Sequence, residues 1–213
     1  ESSKFGDDKD RVIIREDGRG TYLSADLAYH RNKLDRGFDT IINVWGADHH
    51  GYIKRIEATI EAMGYSKKQM QVQLVQFANL FENGSKVKMS TRSGNFYTLK
   101  QLIDDIGPDA SRFYYLSKQA DQHLDFDIGI ARSNSKDNLY YYIQYAHARI
   151  SSVEKKFLEL NRPLPKKFND VDFDECDELL QMALSAQFVI KSSGESLQPH
   201  LIIYYLRGWS FKA

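Results

Sequence analysis

The stretch from Thr40 to Phe77 limits the possible folds more than any other. Thr40-Ile41-Ile42-Asn43-Val44-Trp45 is a continuous apolar run with one polar member, the pattern of a strand buried on both faces of a parallel sheet. Gly46-Ala47-Asp48-His49-His50-Gly51 follows it. Next comes a helical run from about Tyr52 to Met63, with Ile53, Ile56, Ile60 and Met63 on one face and Gly64 as its stop. Gln71 to Phe77, with Val72, Leu74, Val75 and Phe77 as its apolar members, reads as the next strand. Strand, loop, helix and strand make a βαβ crossover, and ligands in such sheets sit beyond the carboxyl ends of the strands.

The loop from Gly46 to Gly51 occupies that place. Small residues there let backbone amides approach a ligand, and the start of a helix favours an anion. Two readings fit Asp48, His49 and His50: nucleotide or substrate contact, or a capped helix start with a buried histidine. A protein-bound metal is not expected. The two histidines are adjacent and diverge, no i,i+4 His pair exists, and Cys176 has no second cysteine beside it. The expected fold class is α/β, a partial doubly wound, Rossmann-like nucleotide-binding fold followed by an all-helical region.

Upstream, Val12-Ile13-Ile14, the turn Asp17-Gly18-Arg19-Gly20 and Thr21-Tyr22-Leu23 read as a hairpin. Ser24 is the expected N-cap of a helix over roughly 25–36 that ends at Gly37. Tyr22 and Asp26 straddle its start. Asp26 is either a first-turn acid favoured by the helix dipole, or one member of a pair aimed into a pocket. In the second case its carboxylate suits a guanidinium in a forked geometry.

Downstream, Lys86-Val87-Lys88-Met89-Ser90-Thr91-Arg92-Ser93-Gly94-Asn95 crowds cations and hydroxyls into a short loop closed by glycine. Such a loop is either a solvated turn or a polyanion cradle, and cations are what a triphosphate needs as charge develops on its oxygens.

Beyond it, 99–106 and 109–119 read as helices broken by Gly107-Pro108. Asp125 and Asp127 read as turn or cap acids. A long helix is expected over about 130–160, where Leu139, Tyr142, Ile143, Ala146, Ile150 and Val153 recur at helical spacing. Its tyrosines, Gln144 and Arg149 either pack in the core or meet RNA bases and backbone. Helices over 178–191 and 199–206 follow a break at Asn161-Arg162-Pro163-Leu164-Pro165, and residues 207–213 match no pattern. The implied division is 1–98, a connector over 99–135, and 136–213.

With 42% apolar and 27% charged residues the composition is that of an ordinary globular chain, not a disordered one. Lys+Arg equals Asp+Glu, so a nucleic-acid partner must use local patches. A single cysteine excludes an internal disulfide and fits a reducing, cytoplasmic setting, and no apolar run is long enough to span a membrane. The chain starts at Glu1 rather than Met and has no signal-peptide pattern, so it reads as a cut into a longer protein.

Literal strings carry more than composition. Lys88-Met89-Ser90-Thr91-Arg92 resembles the Lys-Met-Ser-Lys-Ser signature of class I aminoacyl-tRNA synthetases. Tyr22 to His30 resembles the Thr-Tyr-x-x-x-Asp-x-Ala segment of arginyl-tRNA synthetases, and Val44 to Tyr52 resembles their Trp-Gly-Ala-Asp-His-His-Gly-Tyr block. Asp121 to Asp127 and Tyr142 to Arg149 are similar to two further blocks in the same order.

The resemblance implies an ATP-dependent ligase joining arginine to its tRNA, with Mg2+ carried by ATP. It implies that Tyr22, Asp26 and His49 hold arginine. Gly46, Asp48 and His49, with Lys88, Met89 and Ser90, would meet ATP. Lys88, Ser90 and Arg92 would act in catalysis, and Gln144 and Arg149 would meet tRNA. Thr91 stands where the common signature has a second lysine, and the His-Ile-Gly-His motif of the class does not occur in these residues. The 213-residue chain alone is therefore expected not to aminoacylate. Another class I synthetase, or a non-catalytic tRNA-binding module, is the alternative.

Overall fold

The computed structural model describes residues 1–82, 84–87, 97–161 and 176–212. The chain divides into two compact units, 1–77 and 78–213.

In the first unit, helix α1 (Tyr22–Asp35) precedes strand β1 (Ile41–Gly46), a 3-10 turn (Ala47–Tyr52), helix α2 (Ile53–Ala62) and strand β2 (Met70–Val75). β1 and β2 pair in parallel, in register from Ile41↔Met70 to Gly46↔Val75, so the βαβ crossover expected from the sequence is present. Leu23 and Leu34 of α1, Ile56 and Ile60 of α2, and Ile41 and Met70 of the strands form one core cluster. At about 25 cal/mol per Å² of apolar surface, each such side chain contributes roughly 1.5–3 kcal/mol.

Three local expectations differ from the structure. β1 is not buried on both faces: Ile41 and Asn43 are buried, whereas Val44 is 68% exposed and Ile42 is exposed too. Both helices contribute to a single cluster, so the strand alternates inward and outward at period 2.

The hairpin shrinks to one antiparallel bridge, Ile14↔Gly20. Its turn is as expected, with Gly18 at φ 78° and Asp17 accepting from the Arg19 amide at 3.0 Å. Third, α1 starts three residues early. Thr21 is its N-cap, not Ser24, and Thr21 is tied back to Ile13 by its amide (2.9 Å) and hydroxyl (3.2 Å). The Ser24 hydroxyl instead donates to the Thr21 carbonyl at 2.9 Å.

The segment before Arg11 also joins this unit. A 3-10 turn over Ser2–Phe5 packs on α2, and buried Asp7 accepts two bonds from the Arg11 guanidinium at 3.0 and 3.1 Å.

The second unit opens with strands that the sequence reading did not separate. β3 (Ala78–Glu82) pairs antiparallel with β4 (Ser85–Lys86) and parallel with β5 (Leu124–Asp127). Asp125 therefore lies in a strand, where it accepts from the Asn79 amide at 2.5 Å. Asp127 does cap the next helix, accepting from the Gly129 and Ile130 amides.

Helices α3 (Leu99–Ile106) and α4 (Pro108–Tyr115) meet at Gly107, whose φ of 83° and ψ of 159° form a region only glycine adopts freely. Leu80, Leu102, Leu124, Phe126 and Ile128 make the core.

The long helix expected over 130–160 is two helices, α5 (Ile128–Arg132) and α6 (Leu139–Glu159). Asn138 breaks them. Its amide donates to the Ala131 and Ser133 carbonyls (3.0 and 2.7 Å), and its oxygen accepts from the Tyr141 amide and the Tyr114 hydroxyl. Burial pushes the Tyr114 phenol up to about 12. Helices α7 (Asp177–Ser196) and α8 (His200–Lys212) complete the unit, so the unassigned residues 207–212 simply continue a helix. At Gly208 of α8 a Cβ would lie 3.1 Å from Met182 Cε of α7, a tight contact with the tip of a flexible side chain. No helix among the described residues is long and apolar enough to cross a membrane.

Candidate functional site

A cleft of about 390 Å³ lies in the first unit between α1, β1 and the turn that leads into α2. Residues one helical turn apart on α1 line one side: Tyr22, Asp26, Tyr29, His30 and Lys33. Asn43 and Trp45 of β1, with His49 and Tyr52 of the 3-10 turn, line the other. The period of a helix and the period of a strand thus bring nine side chains from three elements of sequence to one place.

Asp26 is central. Because α1 begins at Tyr22, Asp26 lies beyond the first turn, and no acid stands in that turn. The helix-dipole reading of this carboxylate therefore falls. Its partner is Tyr52, whose hydroxyl donates to Asp26 Oδ2 at 2.6 Å. Burial, and then the carboxylate it serves, raise the Tyr52 phenol well above its ordinary value, so it stays a donor.

A buried polar chain runs behind Asp26. Its carbonyl accepts from His30 Nδ1 at 2.8 Å, and His30 Nε2 meets Asn43 Nδ2 at 2.9 Å. Lys33 Nζ donates to Asn43 Oδ1 at 2.9 Å. A carbonyl only accepts and an ammonium only donates, so the chain has one consistent direction. Lys33 fixes the Asn43 amide, Asn43 donates to Nε2, and the His30 proton sits on Nδ1. Lys33 Nζ also lies 4.2 Å from the centre of the Tyr29 ring, a cation–π contact. Burial lowers its ammonium below the ordinary lysine value, against the pull of the Asp26 charge.

Of the residues singled out in the sequence, Tyr22, Asp26 and His49 line this one cleft. Tyr22 is 89% exposed at the mouth. Gly46 ends β1 at φ −62°, a conformation open to any residue, and a Cβ there would come within 2.5 Å of Asp48 Oδ1 on an exposed side chain. Neither it nor Gly51 is required by backbone geometry. His49 Nδ1 and Asp48 Oδ1 stand 3.8 Å apart, both exposed. Gln144 and Arg149 lie on exposed positions of α6, in the other unit, with Arg149 Cζ 5.9 Å from the Tyr145 ring centre. Lys88, Met89, Ser90 and Arg92 lie outside the described residues.

Sequence reasoning missed Tyr29, His30, Lys33, Asn43, Trp45 and Tyr52 as cleft residues. For Tyr29, Lys33 and Asn43 the signals were there: the i, i+4, i+7, i+11 row from Tyr22 through Asp26 and Tyr29 to Lys33, and the single polar residue of an apolar strand.

A family model described as tRNA synthetases class I (R), catalytic domain, matches residues 2–127, and one described as a DALR anticodon binding domain matches residues 143–210. The chain is 47% identical over 212 residues to an arginine–tRNA ligase of Halorhodospira halophila, covering 97% of this chain and 36% of the relative. The corresponding ligase of Dechloromonas aromatica is 49% identical over 208 residues, with 97% and 35% covered.

Among solved structures, an arginyl-tRNA synthetase from Campylobacter jejuni superposes with a TM-score of 0.85 at 41% identity, over 99% of this chain and 46% of that one. The arginyl-tRNA synthetase of Thermus thermophilus, at 16% identity, shares the fold with a TM-score of 0.73 over 95% of this chain and 42% of that one. The chain spans little more than a third of the length of the curated relatives it matches. On this match of catalytic-domain sequence followed by anticodon-binding sequence, the chain belongs to the class I arginyl-tRNA synthetase family.

Proposed function

We propose that the α1–β1 cleft is the arginine side-chain site of an enzyme that activates arginine with ATP and transfers it to its tRNA. The observation that carries this reading is Asp26, a carboxylate in an aromatic-walled cleft whose hydrogen-bond partner, Tyr52, is neutral. Its charge remains uncompensated by a direct ion pair among the described residues, which suits a cationic ligand. Tyr22, at the mouth, would lie along the aliphatic stem, with His49 at the opposite wall.

Activation is attack of the arginine carboxylate oxygen on the α-phosphorus of ATP, forming the arginyl-adenylate and releasing pyrophosphate. A terminal hydroxyl of the tRNA then attacks the acyl carbon and AMP leaves. Neither step needs a protein nucleophile. Both need the reactants held in line and the phosphate charge stabilised.

On this reading Gly46, at the carboxyl end of β1, and Asp48 and His49 just beyond it border the nucleotide, and Lys88, Met89, Ser90 and Arg92 meet its phosphates, the lysine and arginine supplying cations. ATP would bring Mg2+ with it as part of the substrate. Gln144 and Arg149 on exposed α6 are the proposed tRNA contacts.

Asp26→Ala, with arginine and ATP affinities measured separately by calorimetry, tests the assignment. Arginine affinity is expected to fall at least about tenfold, the scale of a lost charge-assisted pair, with ATP affinity unchanged. Equal loss of both ligands would place Asp26 in the general scaffold and end this reading.

A further inference from the structure

Asp26 is held at both ends, and the two restraints have different consequences. Its main chain is fixed by α1 and by the donated His30 Nδ1 proton, with Asn43 and Lys33 fixing His30 in turn. His30 and Asn43 are 4% and 5% exposed, so this restraint is internal to the fold. What remains free is rotation of the carboxylate itself, a torsion with broad, two-fold preferences. Among the described residues, the hydrogen bond that stops that rotation is the Tyr52 hydroxyl on Oδ2.

The Tyr52 ring is itself held. It meets Trp45 edge-on, with ring centres 5.9 Å apart, and Arg55 Cζ lies 4.8 Å from its centre.

We propose that Tyr52 is a positioning residue that sets the plane of the Asp26 carboxylate for a two-pronged guanidinium, and so determines selection of arginine over lysine. The inference rests on the arginine reading of the cleft. With one lone pair of Oδ2 taken by Tyr52, the carboxylate offers Oδ1 and the second lone pair of Oδ2 in a set plane. A guanidinium carries parallel N–H donors in a rigid plane and gains from that alignment. An ammonium is a rotatable point charge and gains little. Removing the hydroxyl therefore costs arginine more than lysine, although it leaves the Asp26 charge in place.

The test is calorimetric titration of the protein with L-arginine and, in competition, L-lysine, for the wild type, Tyr52→Phe and Asp26→Asn. Tyr52→Phe is expected to weaken arginine about tenfold and lysine less than about threefold, with the arginine-to-lysine ratio falling accordingly. Replacement of Tyr52 by 4-aminophenylalanine, which keeps a donor at the same place, should restore the ratio. Thermal melting of each variant reads fold separately. A ratio unchanged in Tyr52→Phe, with or without a parallel loss of both ligands, overturns the proposal. If Asp26→Asn abolishes arginine binding in that case, the arginine site stands and only the role of Tyr52 is wrong. If Asp26→Asn binds arginine like the wild type, the site assignment falls and Tyr52 with it.

Discussion

Replacing Asn43 by Leu isolates the contribution of the buried polar chain behind Asp26. Leu has the same branched heavy-atom skeleton and suits the inward face of β1, but it removes the donor to His30 Nε2 and the acceptor of Lys33 Nζ, both at 2.9 Å. A buried imidazole nitrogen left without a partner costs about 1–3 kcal/mol. The Lys33 bond is worth less, because its ammonium is only partly buried and can turn to water. The added apolar surface returns part of the loss, so Asn43→Leu is expected to destabilise the first unit by about 1–3 kcal/mol.

His30→Leu alone strands the Asn43 amide in the same way. When both are replaced, neither polar group is left buried alone, and the double variant should lie within about 1 kcal/mol of the wild type. The non-additivity of this cycle is the sum of the two single losses less that of the double variant, about 2–6 kcal/mol for a double variant near the wild type. Urea unfolding in a Trp209→Phe background leaves Trp45 as the only tryptophan, reporting on the first unit. Additive losses, or an Asn43→Leu protein more stable than the wild type, would refute the claim that these groups form one satisfied chain.

Other regions give independent expectations. The Arg11 guanidinium beside Asp7 holds that carboxyl well below its ordinary value near 3.8. Its stabilisation is thus present above that pH and lost as pH falls below it, so the stability gap between wild type and Asp7→Asn should narrow on acid titration below about pH 4. A gap constant from pH 7 to 2 would contradict this. Thr98 and Gln101 form a reciprocal capping box on α3, with bonds of 3.1 and 2.8 Å, and Thr98→Ala should cost about 1 kcal/mol in denaturant midpoint analysis. Gly107→Ala forces a side chain into φ 83°, ψ 159° between α3 and α4 and should cost about 1–3 kcal/mol by the same measurement.

The βαβ crossover was legible because it follows from apolar periodicity and two glycine stops, local signals that the sheet pairing then satisfies. The sequence left two readings of Tyr22 and Asp26 open, a first-turn acid or a pair aimed into one pocket, and in the structure both line one cleft. What could not be read depended on contacts distant in sequence. Tyr52 lies 26 residues from Asp26, and nothing in its neighbourhood marks it as the partner of that carboxylate. His30 looked like part of an apolar helix face and is indeed buried, but its role comes from Asn43 on the adjacent strand. The early start of α1 arises from Thr21 bonding back to Ile13, a tertiary tie that outweighs the better capping propensity of Ser24. The break between α5 and α6 depends on Asn138 satisfying two carbonyls at once, which helical spacing across 130–160 does not reveal.

A structure of the protein with L-arginine bound tests the central claim most directly. The guanidinium is expected in the α1–β1 cleft, with nitrogens about 2.7–2.9 Å from the Asp26 carboxylate and the Tyr52 hydroxyl still on Oδ2. Arginine bound outside this cleft, or lying in it with its guanidinium directed away from Asp26, would contradict it.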